Sequence, residues 1–497
     1  MKNFFILLFM LITVGLCWAQ APIMPSLWLR ADSTGVETNY WHDVSGNGFD
    51  VFPTSGLMSS TFSKMNFNRC FDLFENQQFT ISSNALVTKE MEAIIVYETN
   101  DPTAENGLWS LLLDTTGRIG LTTHRILSEQ GQIIYDTINS CKPVINYLSQ
   151  SWETPSSNLK TLRIGIADSV PFSGRLSEFI LFDTRIADTV RTQWLSYLAI
   201  KNGTTLRRTN YLDSRRHCIW NYGEQYEHSA SIVGIGRDDA MGLHQRHTYF
   251  ADNRMVFGLG HPTDDSQDCS SILADGDFII MGTDSCGMSV TSQLSLADGC
   301  TFKTIGQSVV QVTGSCPSQY GTYLQVAETP LSASPQNHIC ALLIDRSGTG
   351  AYPLEVVEMI YPDAIDTAGN LMFLDLHWDT DGSGTDAFCF VMHSIDSTFN
   401  FRSSASDDQE SNSEKKFANQ YRLSPNPNAG KYRLEIELAE TSDVTVTVST
   451  TTGKIIRTMS GQGDKSYLFE GNETTPGLYL FDIRSSLEYK TLKMIVQ

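Results

Sequence analysis

Apolar positions along the chain fall in short runs rather than at long helical spacing. Ala93–Tyr97, Trp109–Leu113, Leu162–Ile166 and Phe179–Phe182 are separated by turn residues. Such runs predict strands, and their recurrence through residues 22 to about 202 predicts a sandwich or jelly roll. One segment differs. Val190, Trp194, Tyr197 and Leu198 share one face at helical spacing, Asp188 is placed to cap their N-terminus, and Gly203 sits where a left-handed C-terminal cap belongs. Residues 204 to about 400 again read as β-rich, with frequent Gly, Asp and Ser. Residues 403–416, SSASDDQESNSEKK, carry no apolar periodicity and predict an exposed linker. Strict alternation then appears. Tyr432, Leu434, Ile436 and Leu438, then Val444, Val446 and Val448, alternate with polar residues as half-buried strands do. Gly477–Ile483 is nearly continuous apolar sequence after a Pro-Gly turn, as in a central strand. About seven short strands in residues 421–497 predict an immunoglobulin-like sandwich. The expected fold class is all-β: a jelly-roll sandwich, a β-rich middle module, and a C-terminal immunoglobulin-like sandwich.

The N-terminus does not belong to the fold. Lys2 is followed by an apolar run from Phe4 to Leu16 and then small residues, the layout of a secretory signal peptide over residues 1–19. Cleavage is expected between Ala19 and Gln20, because a cut after Ala21 would place Pro22 just beyond the bond. Lipidation at Cys17 is disfavoured by the large Leu16 before it. No later run of apolar residues is long enough for a transmembrane helix. The domains expected are therefore the leader, 20–203, 204–402, a linker at 403–420, and 421–497.

Charge narrows the partners. A net charge of −21, from 56 acidic against 35 basic residues, excludes a nucleic-acid binder, which needs a basic footprint to displace counterions. Attraction to anionic lipid is disfavoured for the same reason. Cysteines at 70, 141, 218, 269, 286, 300, 316, 340 and 389 suit an oxidising compartment, and none shows C-x-x-C spacing. They read as disulfides and buried thiols of undetermined connectivity.

Three resemblances follow from quoted residues. Ser424-Pro425-Asn426-Pro427, Gly430, the strand Tyr432–Leu438, Gly453-Lys454, Pro476-Gly477-Leu478-Tyr479 and the terminal stretch from Lys490 through Lys493 to Val496 resemble, in order, the C-terminal sorting domain of Bacteroidetes type IX secretion cargo. The resemblance implies recognition by the type IX secretion machinery, removal by a sortase-like peptidase near 403–420, and attachment to surface lipopolysaccharide. Leu27-Trp28-Leu29-Arg30-Ala31-Asp32, Trp41-His42-Asp43-Val44-Ser45-Gly46-Asn47-Gly48, Gly174 to Phe182 and Ser196 to Gly203 resemble concanavalin A-like, laminin-G-type lectin domains of Bacteroidetes surface proteins. Residues 55–160 match only in general character. That resemblance implies a two-sheet sandwich that binds glycans or protein ligands, in some members through calcium. Asn210-Tyr211, Cys218-Ile219-Trp220, Ile232 to Ala240 and His377 to Asp386 resemble an uncharacterised module that follows such domains.

Candidate chemistry is sparse. Asp379, Asp381, Ser383 and Asp386 lie on a Gly-rich loop that reads either as a calcium site or as a solvated acidic turn; Phe390 stands where an EF-hand has its Glu. Asp345, Ser347, Asp363 and Asp366 are further oxygen donors. Asp43 and Asn47 read as backbone-bonding turn residues or as cation ligands, the turn being favoured. Arg237-Asp238-Asp239 predicts an ion pair or a turn network, and His244 and His247 lack the Glu of H-E-x-x-H. Glu178 with Asp183, and Glu355 with Glu358, are spaced to point to opposite strand faces, unlike a glycosidase pair. No G-x-S-x-G occurs, so no enzyme is expected. Asp32, Asp136, Asp168 and Asp366 each begin an Asp-Ser/Thr-apolar triplet resembling O-glycosylation acceptors. Trp28, Tyr40 and Trp41 are candidates to stack on sugar rings, although a Trp in the position of Trp28 is more often core. The expected function is a secreted, surface-attached binding or adhesion protein that contacts glycans or host or cell-surface proteins. The alternatives are a structural surface component without a small ligand, and a hydrolase with an unrecognised site. Calcium is the one cofactor considered.

Overall fold

The computed structural model describes most residues between 23 and 496; outside the described set are 1–22, 395–419, and loop stretches of which 55–61, 135–141, 263–271 and 328–337 are the longest. The signal-cleavage pair Ala19–Gln20, most of the 403–420 linker, and Pro425, Asn426, Pro427 and Gly453 of the sorting motif therefore lie outside the described residues. The chain divides into two compact units. The first holds residues up to 251 with 263–285 and 311–317; the second holds 252–262, 286–310 and 318–497. The span 204–402 contributes to both.

The first unit is built on two antiparallel sheets. One runs Val144–Ser151, Glu90–Thr99, Gly174–Phe182, Asn68–Leu73, Phe62–Met65, with Leu27–Arg30 also paired to Gly174–Phe182. The other runs Gly131–Ile134, Arg125–Ser128, Arg118–Thr122, Gly107–Leu112, Lys160–Ile164, Phe79–Ser83, Phe52–Pro53. Alternate residues of both meet in a core that includes Leu29, Trp41, Phe71, Ile95, Tyr97, Trp109, Leu162 and Phe179. The near-continuous apolar runs at 93–97 and 179–182 have a separate cause. The other face of their sheet is also buried. Ile94, Val96, Ile180 and Phe182 pack with Trp194, Tyr197 and Leu198 of the helix Asp188–Asn202, and with Tyr211, Trp220, Ile232 and Ile280. A strand covered on both faces has no polar positions to alternate.

Gly203 caps the helix in the left-handed conformation, φ 65°, its N–H bonded to the Ala199 carbonyl, as its sequence position predicts. The N-terminal expectation is corrected. The N-cap is Ala187, without a side-chain cap, and Asp188 lies inside the first turn, where it pairs with Arg191 three residues on at 2.5 Å.

In the second unit, Met255–Leu259, Thr322–Val326, Leu371–Leu376 and Ala364–Ile365 form one antiparallel run. Thr385–Ser394, His338–Asp345 and Val357–Ile360 form another. The C-terminal sheet has five strands among the described residues, fewer and longer than the alternation suggested: Gln420–Ser424, Lys431–Thr450, Ile455–Asn472, Gly477–Ser485 and Tyr489–Val496. The two alternating runs at 432–438 and 444–448 belong to one strand. Its register shifts between Glu437 and Val444, where a bulge bends it instead of a turn ending it. Both runs keep the same inward parity, so Leu434, Ile436, Val446, Val448, Phe481 and Met494 share one core.

The described cysteines 70, 218, 340 and 389 are free thiols. Burial pushes Cys70, Cys340 and Cys389 up to about 12, which makes them inert side chains rather than reactive ones.

Candidate functional site

The first site grows from a short ladder at the edge of the sandwich. Trp41 and Val51 exchange backbone hydrogen bonds of 2.8 and 3.1 Å, and both side chains point into the core. Period two then sends their neighbours outward. Tyr40 lies opposite Phe52, with ring centroids 5.8 Å apart. His42 lies opposite Asp50, its Nδ1 3.0 Å from Oδ1. Tyr40 and His42 are themselves in ring contact at 6.2 Å. Phe52 is 56% exposed, and the His42 side chain 47%. Asp50 Oδ1 also accepts the Asp43 N–H at 2.8 Å, which fixes the carboxylate, and the side chain is 31% exposed. Two aromatic faces beside a fixed carboxylate and an imidazole form a small, open, amphipathic platform. The sugar-stacking candidates Trp28 and Trp41 are corrected: they are 4% and 0% exposed and belong to the cores. Only Tyr40 of that set lies on the surface. Its partners Asp50 and Phe52 went unnoticed in the sequence, although alternation about Trp41 and Val51 marks them.

The second feature is a buried charge network that gathers residues from three distant motifs. Glu178, fully buried, accepts Trp28 Nε1–H at 2.8 Å, the Tyr197 hydroxyl at 2.7 Å, and Lys201 Nζ. Lys201, 3% exposed, also reaches Asp32 at 2.8 Å. Asp32 receives Arg30 side-on, through Nε at 3.2 Å and Nη2 at 2.9 Å. Arg30 Nη1 donates to the Gly242 carbonyl at 3.0 Å, and the guanidinium lies 5.3 Å from the Trp28 ring centroid. Burial alone would raise the Asp32 carboxyl, but Lys201 and Arg30 outweigh it and hold it well below the usual carboxylate range. Burial, reinforced by Glu178, pushes the Tyr197 phenol far up, so it stays a donor. The outer side of this network opens into a cavity of about 290 Å³ walled by Arg30, Asp32, Lys201, His244, Gln245 and Arg246.

The remaining predicted residues are mostly turn architecture. Asp43 is buried and accepts the N–H groups of Trp28, Ser45 and Phe49 at 2.9–3.0 Å and the Ser45 hydroxyl, while Asn47 donates to the Ser26 carbonyl, so the favoured turn reading describes both. Asp345 accepts from Ser347, Thr349 and the Tyr352 N–H, and Asp366 from Ala368, Asn370 and Gln325. In the acidic loop, Asp386 is buried and faces Arg346 at 2.9 Å and the Asp379 N–H at 2.7 Å; Asp379 accepts the Gly384 N–H, and Asp381 the Ser383 N–H. Asp386 takes both of its bonds on Oδ2, its Oδ1 accepting none, and among the described residues no group of three or more His, Cys, Asp or Glu side chains is placed to hold a metal ion. Arg237 pairs with Asp239 at 2.7 Å. His244 is exposed on the strand Leu243–Gln245, and His247 is buried on the separate strand His247–Tyr249. Glu178 is committed to the network, and Glu358 to Arg346 at 2.7 Å. In the C-terminal sheet, Gly430 adopts φ 100°, and Gly477 opens a strand. Tyr479 is buried with its hydroxyl on the Thr475 carbonyl, and Lys493 pairs with Asp363.

Residues 422–497 match the secretion system C-terminal sorting domain, and residues 190–376 match a domain of unknown function, DUF8202. The sorting domain indicates export by type IX secretion to the cell surface or extracellular space, and interaction with that machinery. Among the described residues no helix is long and apolar enough to cross a membrane. No curated protein sequence matches the chain. Among solved structures, domain 4 of the arabinanase AbnA from Geobacillus stearothermophilus, in complex with arabinotriose, is 10% identical, over 33% of this chain and 95% of its own, at TM-score 0.26. The CBM35 of Abf62 from Cellvibrio japonicus is 10% identical, over 32% of this chain and 99% of its own, at TM-score 0.18. Dimeric latent PorU from Porphyromonas gingivalis is 9% identical, over 90% of this chain and 34% of its own, at TM-score 0.14. Likenesses at such scores carry no argument about ligand or activity.

Proposed function

We propose that the exported chain is a non-enzymatic surface binding protein whose N-terminal sandwich holds glycans on the Tyr40–Phe52 platform. The observation that supports it is the pairing, on one exposed ladder face, of two aromatic rings with a fixed carboxylate and an imidazole. Sugar rings carry an apolar C–H face and a hydroxyl rim. The aromatic pair offers the first a surface to bury against, and Asp50 Oδ2 and His42 Nε2 offer acceptors for the second. The platform is open rather than enclosed, which suits a polysaccharide chain crossing it. Burying one aromatic ring against a sugar is worth roughly 1.5–3 kcal/mol, so each ring carries about tenfold or more in affinity.

The test is a glycan array with the chain beginning at Gln20, as wild type and as Phe52→Ala and Tyr40→Ala, with calcium and with chelator. Binding to a defined saccharide class that falls about tenfold in either variant supports the proposal. A blank array, or binding that neither substitution weakens, overturns it and leaves a structural surface role as the reading to pursue.

A further inference from the structure

We infer that the cavity of about 290 Å³ in the first unit, walled by Arg30, Lys201, His244 and Arg246, is a second binding site, specific for a single sugar ring bearing a carboxylate. It goes beyond the platform and uses none of its residues. The volume sits at the bottom of the range of small-molecule sites, roughly 300–1,000 Å³, and admits one ring rather than a chain. The wall is mostly polar, Leu243 being its one apolar side chain, and offers no Trp, Tyr or Phe ring for stacking, so a neutral sugar has little to gain there.

Charge and hydrogen bonding set the ligand class. In a chain of net charge −21, this cavity gathers Arg30, Lys201 and Arg246 against Asp32, with Glu178 behind Lys201. Asp239 also stands near, 3.1 Å from His244. The donors of Lys201 are spent on Glu178, Asp32 and Tyr197. Arg30 is different. A guanidinium has five N–H groups, and Arg30 uses Nε and one N–H each of Nη1 and Nη2 on Asp32 and the Gly242 carbonyl. One N–H on each terminal nitrogen is left over. A carboxylate can take both, the bidentate arrangement for which arginine is suited and lysine is not. Asp32 and the Trp28 ring hold the guanidinium in place from its other sides, so little side-chain entropy is lost on binding. Hexuronic and sialic acids both present a carboxylate on one pyranose ring.

The test uses the chain beginning at Gln20 and calorimetric titration at low salt, with four probes: glucuronate, N-acetylneuraminate, methyl glucuronate ester and glucose. Saturable binding of one of the acids, at least tenfold tighter than the ester and glucose, supports the site, and which acid binds identifies its source. Arg30→Lys keeps the charge and removes the fork, and should cost at least tenfold. Arg246→Ala, outside the buried network, should weaken binding and serves if Arg30→Lys does not fold. Phe52→Ala should leave acid binding unchanged, which separates this site from the platform. Equal binding of acid and ester, or no binding of either acid at about 10 mM, overturns the proposal. So does acid binding that depends on Phe52 and not on Arg246.

Discussion

Replacing Lys201 by Met tests whether the buried charges act as one unit. Lys201 and Glu178 are 3% and 0% exposed. Lys201→Met leaves Glu178 with only the Trp28 and Tyr197 donors, and Asp32 with Arg30 alone. Breaking a buried pair this way costs about 3–5 kcal/mol. Glu178→Gln leaves Lys201 its bond to Asp32, so the loss is that of one charged hydrogen bond, about 1.5–3 kcal/mol. The double variant removes both charges and no longer strands either one. Its cost should fall short of the sum by about 2 kcal/mol, within the coupling range for residues in contact. Urea unfolding followed by tryptophan emission is the assay, since Trp28 and Trp194 lie 4.9 Å apart beside the network. The pH dependence has a defined sign. Asp32 is held below its unfolded value by Lys201 and Arg30 against the opposing effect of burial, so its contribution is present above about pH 4 and is lost as pH falls. The advantage of wild type over Lys201→Met should therefore shrink on acidification. Effects additive within about 0.5 kcal/mol, or a neutral Lys201→Met, would refute the reasoning.

Two further predictions concern the second unit. Burial, only partly offset by Arg346, raises the Asp386 carboxyl to about 6, so the folded state binds a proton there that the unfolded chain has released. Stability should fall as pH rises from about 4 to 6, by on the order of 2–3 kcal/mol, relative to Asp386→Asn; urea titrations of both across that window check it, and a rise in the difference would contradict it. Gly430 sits at φ 100°, and a Cβ there would stand 2.4 Å from the Glu473 carbonyl oxygen. Backbone cannot yield as a side chain tip can, so Gly430→Ala should cost more than about 2 kcal/mol and leave cargo unexported; surface labelling against total protein measures it, and wild-type export would count against the account.

The C-terminal block was the most legible because a single rule governs it. One face is apolar, so alternation at 432–438 and 444–448 exposes strand, face and parity together. Alternation does not show whether the chain turns or merely bends between two such runs, because a bulge and a hairpin both interrupt the pattern. Hence two expected strands proved to be one. Asp188 misled for a related reason. An acidic residue favours the N-cap and the first turn alike, and only the backbone angles of Ala187 decide which it occupies.

The functional surfaces were harder to read because their residues depend on contacts across the fold. Trp41, between Tyr40 and His42, is the inward member of an alternating run, whereas Trp28 stands between Leu27 and Leu29 on a strand buried on both faces. Around Trp41 the outward neighbours carry the chemistry, and beside Trp28 a residue of its own face does. Trp41 places Tyr40 and His42 on the surface opposite Phe52 and Asp50. Trp28 is followed two residues on by Arg30, which anchors Asp32 and opens on the cavity. The motifs at residues 27–32, 174–182 and 196–203 were recognisable as patterns, yet nothing local linked them. Glu178 is embedded in an apolar strand and Lys201 follows Leu198-Ala199-Ile200 at the buried end of its helix, positions where an unpaired charge would be prohibitively costly. Each therefore signals that a partner of opposite charge stands elsewhere in the chain. Buried acids and bases in apolar elements are thus paired clues, and here the partner of each is the other. The same pairing that makes the network structural leaves Arg30, its outermost member, with N–H groups to spare at the mouth of a cavity.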